Sequence, residues 1–440
     1  MPVPPLLNQI ANAFVQGERR VEDTVDRLTN VLGRRWRFLT PLVERYFRAF
    51  PNPRPRRREV LRFLREDRVF RRAWRKRFSK IHVDQWPSSP PPAQSPAGRW
   101  DLPPIQTVGE LAQWLEVTPG ELDWYADLKG ITSKSANPRL AHYHRRIFVK
   151  RSGGIRLVEA PKRRLREIQR AILRGMLDRI SPHPAAHGFV KGRSIHTFVA
   201  PHIHQHVVLK MDLRDFFPSL VCARIQSFFR MAAYPETVAD LLGGLCSTSV
   251  SKSFWNTHPL AASSEEVEES RLLYSRRHLP QGAPTSPALS NICAYRLDCR
   301  LSGLAQSADA HYTRYADDLA FSGGTRFARS AERFATHVAA ILAEEGFAAY
   351  HRKTRVMRPG VRQHLAGMTV NRRANIPRRD FDRLKATLTN CARHGPSTQN
   401  RDGHSSFRQH LEGRVAFVES VNFKKARLLR ELLLRIDWNR

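Results

Sequence analysis

Tyr312-Thr313-Arg314-Tyr315-Ala316-Asp317-Asp318-Leu319-Ala320-Phe321 sets two adjacent aspartates between two β-prone runs. Such runs around a short polar break predict a hairpin with the acids at its turn. Carboxylates side by side repel and raise each other's pKa unless a cation lies between them. Upstream, His206-Val207-Val208-Leu209-Lys210-Met211-Asp212-Leu213 alternates as a strand does. Val207, Leu209, Met211 and Leu213 then share an apolar face, and Asp212 lies opposite with Val208 and Lys210. Alone, Asp212 reads as a strand-end surface charge. With Asp317 and Asp318 it completes a set of hard oxygen ligands of the kind magnesium prefers. Phosphoryl transfer from a nucleoside triphosphate needs about two such ions, roughly 4 Å apart, at the attacking hydroxyl and the leaving group.

The 440 residues carry 74 Lys and Arg against 40 Asp and Glu, a net charge of +34 spread over the whole length. That balance predicts a nucleic-acid partner. The cysteines, Cys222, Cys246, Cys293, Cys299 and Cys391, are odd in number, scattered and never spaced C-x-x-C. A disulfide framework and a zinc ribbon are thereby disfavoured, and a reducing cytoplasm is expected. Met1-Pro2-Val3-Pro4-Pro5 lacks a charged start followed by an apolar run, and no stretch of about 18 apolar residues occurs. No membrane contact is expected.

Apolar positions such as Val21, Val25, Leu28 and Leu32 recur at helical steps from Leu6 to about His82. Between Arg54 and Arg77 twelve basic residues face three acidic ones, interleaved with Val60, Leu61, Phe63, Leu64, Phe70 and Trp74. An amphipathic helical block with arginine on its wet face is predicted there, its aromatics more often buried than stacked on bases. Pro87-Ser88-Ser89-Pro90-Pro91-Pro92-Ala93-Gln94-Ser95-Pro96 reads as an extended linker. Residues 1–98 therefore form a basic helical N-terminal domain with its linker. Thr107-Val108-Gly109-Glu110 and Thr118-Pro119-Gly120-Glu121 both fit a capping box, so two short helices follow. Short strands alternate with helices from Arg145 to about Asn371, an α+β body. Helix returns from Arg378 to Arg440, broken at Gly395-Pro396 and Asp402-Gly403.

Three runs in order now carry a resemblance: Asp212-Leu213-Arg214-Asp215-Phe216-Phe217-Pro218-Ser219, then Leu279-Pro280-Gln281-Gly282-Ala283-Pro284-Thr285-Ser286-Pro287, then Tyr315-Ala316-Asp317-Asp318. They resemble motifs A, B and C of reverse transcriptases. His187-Gly188-Phe189-Val190-Lys191-Gly192-Arg193-Ser194-Ile195 is similar to the stretch before motif A in the retron and group II intron branch. Phe148 to Arg156 resembles the fingers hairpin, Glu345-Gly346-Phe347 to Lys353-Thr354-Arg355 motif D, and Gly367-Met368-Thr369-Val370-Asn371 motif E. The resemblance runs from roughly Thr107 to the C-terminus. It implies a right-hand polymerase with fingers at 99–201, palm at 202–371 and a helical thumb at 372–440.

The same resemblance implies roles. Asp212, Asp317 and Asp318, helped by the backbone carbonyl of Leu213, would hold two magnesium ions. Lys150 and Arg156 would hold the triphosphate, for which a guanidinium is well shaped. Gln281 and Gly282 would shape the deoxynucleotide pocket, joined by Asp215, Phe216 and Phe217. Phe217, five residues after Asp212, falls where the family keeps an aromatic gate against the ribose 2'-hydroxyl, although core packing is the plainer reading of a Phe-Phe pair. Lys353 would protonate the departing pyrophosphate. The implied substrates are deoxynucleotides, an RNA template and its RNA–DNA duplex, with a cognate structured non-coding RNA and a role in anti-phage defence. Two departures bear on that RNA. Phe198-Val199-Ala200-Pro201-His202 keeps only the histidine of the retron Asn-Ala-x-x-His element, and Leu365-Ala366-Gly367 stands for Val-Thr-Gly. The rival readings are a silent RNA-binding scaffold that restrains an effector protein and a non-retron defence-associated reverse transcriptase. An intact acid trio with Gln281-Gly282 argues against silence.

Overall fold

Residues 5–15, 20–32, 34–51, 55, 57–74, 100–134, 137, 139–150, 154–256 and 264–438 are described by a computed structural model of the chain. Two compact units divide it, Met1–Gln94 and Ser95–Arg440. The proline-rich linker lies outside the described residues.

In the first unit the helical periodicity becomes α1 (Pro5–Val15), α2 (Val21–Leu32), α3 (Leu39–Ala49), α4 (Arg57–Glu66) and α5 (Arg68–Ala73). Val25, Leu28 and Leu32 of α2 bury against Leu39, Leu42, Val43 and Tyr46 of α3. The Tyr46 ring sits 4.6 Å from Phe14 and 5.9 Å from Phe63. The basic block is two helices rather than one. Asp67 takes an extended backbone and its carboxylate accepts the Phe70 N–H at 2.8 Å, capping α5 and ending α4. Arg45 reaches across to the same carboxylate at 2.8 Å. Phe70 is buried and Phe63 and Trp74 pack against the core, while Arg62, Arg65, Arg68, Arg71 and Arg72 remain exposed. Arg54, Arg56 and the residues after Trp74 in that block lie outside the described residues.

The second unit opens on the two capped helices, α6 (Val108–Trp114) and α7 (Pro119–Ala126). Thr118 and Glu121 complete a reciprocal box. At α6 the Thr107 hydroxyl accepts from Glu110 N, but the Glu110 carboxylate accepts from Gln106 N instead. β1 (Tyr143–Val149) and β2 (Ile155–Pro161) form an antiparallel hairpin whose tip, residues 151–153, lies outside the described residues. The central sheet joins β3 (Val207–Asp212), β4 (Ala310–Tyr315), β5 (Asp318–Gly323) and β6 (Arg355–Met357) in the order β4-β5-β3-β6. β7 (His364–Leu365) and β8 (Met368–Thr369) make a small hairpin beside it.

β3 corrects one expectation. Val207, Leu209 and Met211 enter the large core, yet Val208 on the opposite face is equally buried, in a second cluster with Phe198, Ala320, Met357 and Leu365. The strand is central and covered on both sides, so Asp212 emerges at the end of a buried strand and not on a wet face. Each buried aliphatic side chain contributes roughly 1.5–3 kcal/mol. A one-residue slip of β3 would turn Lys210 and Asp212 into the large core, which fixes the register.

The large core runs unbroken from Ile105, Leu111 and Leu165 to Leu242, Leu289, Phe321 and Phe347, so the segments expected as fingers and palm share it. A separate core joins Arg378–His394, Phe407–Val421 and Phe423–Leu434 through Leu384, Leu388, Leu411, Val415 and Leu429. A third break, at Asn422, divides the last two helices; its side chain accepts from Lys425 N at 3.1 Å. Among the described residues, no helix is long and apolar enough to cross a membrane.

Candidate active site

Antiparallel pairing of β3 with β5 sets Asp212 opposite Asp318, and pairing of β4 with β5 sets Tyr315 opposite Asp318. Ala316 and Asp317 are therefore the hairpin turn, with Ala316 in the left-handed region at φ +54°. Leu213 N donates to the Asp317 carbonyl at 2.9 Å, stitching the end of β3 to that turn. The three carboxylates thus meet at one edge of the sheet. Burial, then Asp212 and Asp318, push the Asp317 carboxyl above the usual carboxylate range. Burial also raises Asp212, against the pull of Lys353. Two lysines offset the crowding of charge: Lys353 Nζ lies 3.1 Å from both Asp212 oxygens and Lys210 Nζ 2.9 Å from Asp318 Oδ1.

As they stand, no three acidic, histidine or cysteine side chains among the described residues close into a metal cage. The donor chemistry nevertheless fits a hard divalent cation, because the carboxylates depress one another's ionisation and only positive charge relieves them.

The turn is held from beneath. Arg314 is wholly buried and makes a bidentate pair with Asp298, Nε to Oδ1 at 2.8 Å and Nη2 to Oδ2 at 2.6 Å. Its remaining Nη1 donates to the Ala316 carbonyl at 3.2 Å, inside the turn. Gly188 packs so closely on the other side that a Cβ there would lie 2.6 Å from Ala316 N and 3.2 Å from the Tyr315 carbonyl carbon. Asn291 Nδ2 fixes that glycine by donating to its carbonyl at 2.9 Å. His202 spans β4 and β5 from below, its ring nitrogens 2.7 Å from Thr313 Oγ1 and 2.6 Å from Ser322 Oγ, and burial pushes its pKa down to about 3. The one histidine kept from the retron element is thus a neutral strut.

Beside the acids opens a cleft of about 540 Å³, lined by Phe148, Val149, Lys150, Arg156, Val158, Gln281 and Lys353. It gathers four residues that the sequence assigned to nucleotide handling from three distant segments, since Lys150 and Arg156 share the β1–β2 hairpin. Lys150 Nζ meets Asp215 Oδ1 at 3.2 Å. The Gln281 carbonyl accepts from Glu159 N at 2.8 Å, which docks the motif B loop on β2. Gly282 has φ +128°, and a Cβ would stand 3.1 Å from the Glu159 carbonyl, so glycine alone suits the approach. Beneath the same loop Glu159 and His278 form a wholly buried pair at 2.8 Å.

Phe216 departs from expectation. Its side chain is buried in the large core, with Arg314 5.8 Å from its ring centre and Phe347 5.9 Å away, so it is a floor under the turn and not a wall of the pocket. Phe217 is half-buried, 5.5 Å from Phe216 and 6.1 Å from Phe189. Leu213 is buried, and its side chain belongs to the core. Arg314, Asp298, Asn291 and Lys210 have no motif of their own. The one signal for Arg314 is a cation at an inward position of an otherwise uncharged strand.

Known proteins resemble the chain over this region. Residues 148–386 match the family described as reverse transcriptase (RNA-dependent DNA polymerase). The chain is 38% identical to the retron Mx65 reverse transcriptase of Myxococcus xanthus over 345 residues, covering 77% of this chain and 74% of that one. It is 33% identical to the retron Mx162 reverse transcriptase of the same organism, covering 76% and 68%. With the retron Ec86 reverse transcriptase of Escherichia coli it shares 27% over 304 residues, 68% of this chain and 82% of that one.

Proposed function

Because this chain belongs to the retron-type reverse transcriptases, RNA-directed DNA polymerases with the right-hand fold, we propose that it copies a cognate structured RNA into DNA by two-metal nucleotidyl transfer. The observation that carries this reading is the convergence of Asp212, Asp317 and Asp318 beside a cleft lined by Lys150, Arg156, Gln281 and Lys353.

Asp212 and Asp317 would hold the magnesium pair, with Asp318 and the Leu213 carbonyl assisting. When bound, the ions would lower the pKa of the primer 3'-hydroxyl and neutralise charge on the leaving pyrophosphate. The primer 3'-oxygen would attack the α-phosphorus as its proton passes to solvent, and the bond to the β-phosphate oxygen breaks to release pyrophosphate. Lys150 and Arg156 orient the triphosphate, which on binding exchanges Asp215 for phosphate oxygens at Lys150. Lys353 touches both Asp212 and the cleft, so it is placed to give a proton to the departing pyrophosphate. Phe217 stands as the gate against the 2'-hydroxyl. The exposed arginines of α4 and α5 hold RNA phosphates, and the setting is cytoplasmic anti-phage defence.

Purifying the full chain and sequencing its bound nucleic acid tests the template. One abundant RNA stably joined to its complementary DNA is expected, and a heterogeneous RNA pool would leave a general reverse transcriptase. Folded Asp317→Asn is expected to retain RNA while extension of a primed RNA template falls by orders of magnitude; near-normal extension would remove the two-metal account.

A further inference from the structure

Phe189 combines two features that seldom occur together. Its backbone lies in the left-handed region at φ +62°, where a bulky side chain is strained and glycine is not, and its ring is 49% exposed. Strain of this kind persists only where the surroundings impose it, and it gathers at functional sites. The surroundings here do impose it. Gly188 is clamped between the Tyr315–Ala316 turn and Asn291, and His187 N donates to the Arg314 carbonyl at 2.7 Å. On the far side Arg193 N donates to the Val190 carbonyl at 3.1 Å, and Arg193 Nη1 donates to the Ala186 carbonyl at 2.7 Å. The loop thus delivers an aromatic ring to Phe217, 6.1 Å between centroids at 55°. Asp215 and Ala316, which border the acids, share this positive φ.

We propose that Phe189 is a positioning residue for sugar selection. It braces the half-buried Phe217 ring from its open side, and the backbone strain is tolerated because a correctly held gate requires it. Phe216 supports Phe217 from the core at 5.5 Å, so the two neighbours hold the gate between them. With Phe189 gone, Phe217 gains room to yield to a 2'-hydroxyl. This rests on the reading of Phe217 as the gate.

The test measures kcat/KM for a deoxynucleotide and for the matching ribonucleotide on one primed RNA template, using full-length wild type, Phe217→Val, Phe189→Ala, Phe189→Gly, Phe189→Leu and the double variant Phe189→Ala with Phe217→Val. A tilted aromatic contact of this kind is worth enough for the deoxy-to-ribo ratio to fall about three- to tenfold in Phe189→Ala. Phe189→Leu is expected to restore part of it, and the double variant to lose no more than Phe217→Val alone. Phe189→Gly, which relieves the backbone, is expected to melt no lower than wild type while losing the same selectivity; a merely structural ring would give lower melting and an unchanged ratio. If Phe217→Val lowers the ratio and neither Phe189→Ala nor Phe189→Gly does, the bracing role is overturned and the gate stands. An unchanged ratio in Phe217→Val removes the gate and the brace together. Additive losses in the double variant would show that Phe189 meets the sugar directly and overturn the positioning role.

Discussion

Replacing Gly188 by alanine tests whether the aspartate turn works only where it now lies. The new Cβ would stand 2.6 Å from Ala316 N, and 3.4 Å marks an ordinary contact, so the turn or the Gly188 loop has to retreat by 0.8 Å (3.4 − 2.6). Neither side yields cheaply. The obstacle is backbone, the turn is pinned through Arg314 and Leu213, and Gly188 is pinned through Asn291. Overpacking of this kind costs about 1–3 kcal/mol of stability. The larger effect falls on chemistry, because a misplacement of about 1 Å costs on the order of 100-fold in rate, or about 2.7 kcal/mol of barrier. Gly188→Ala is therefore expected to fold, to bind primed RNA as wild type does, and to extend it about 100-fold more slowly. Single-turnover extension beside a thermal melt checks this. A folded Gly188→Ala protein within threefold of the wild-type rate would refute the reasoning and show that the turn tolerates displacement.

Three further outcomes are expected. An acid with a raised folded pKa stabilises the fold below its unfolded pKa and loses that contribution as pH rises through the folded value, so Asp317→Asn in EDTA should match wild type below about pH 4 and melt higher above it. Equal melting at pH 8 would contradict the crowding of charge at the turn. His202, with its pKa near 3 against about 6.5 unfolded, contributes stability above pH 6.5 that is lost as pH falls through that window, and His202→Gln should flatten this slope in pH-dependent melts. Substituting glutamine for Arg62, Arg65, Arg68, Arg71 and Arg72 should weaken RNA retention and lower the log–log salt slope by about 1 for each arginine that meets a phosphate, and an unchanged slope would assign that face elsewhere.

The aspartates and the hairpin were legible because each belongs to a short run whose chemistry is local, whereas the cleft cations Lys150, Arg156 and Lys353 came only with the family resemblance. The Asp317-Asp318 pair announces itself by adjacency, and Phe217 by its distance from Asp212. Asp298 and Arg314 were not legible, since an ion pair buried by tertiary packing leaves no spacing to read. The double-sided burial of β3 was hidden for the same reason: Val208 and Lys210 look like a polar-tending face until Met357 and Leu365, far downstream, cover it. Asp67 stands in sequence as one of three acids in a basic block, whereas its capping bond to Phe70 N divides that block into two helices. Spacing from Asp212 set Phe217 apart from Phe216, and the placement of Arg314 and Phe347 around Phe216 puts that ring in the core.

The pairing of β3 with β5 and β6 has a consequence for synthesis. Domains fold as the ribosome releases them, at roughly 5–20 residues per second, and contacts distant in sequence close last. Asp212 is made first but has no partner until Asp318 emerges, and Lys353 follows later still. A nascent chain therefore carries β3 with both edges unpaired while the intervening helices fold, an interval in which it is open to wrong strand partners. A chain that stops anywhere before Asp318 holds Asp212 without its cross-strand partner, so the acid cluster forms in one step rather than by degrees.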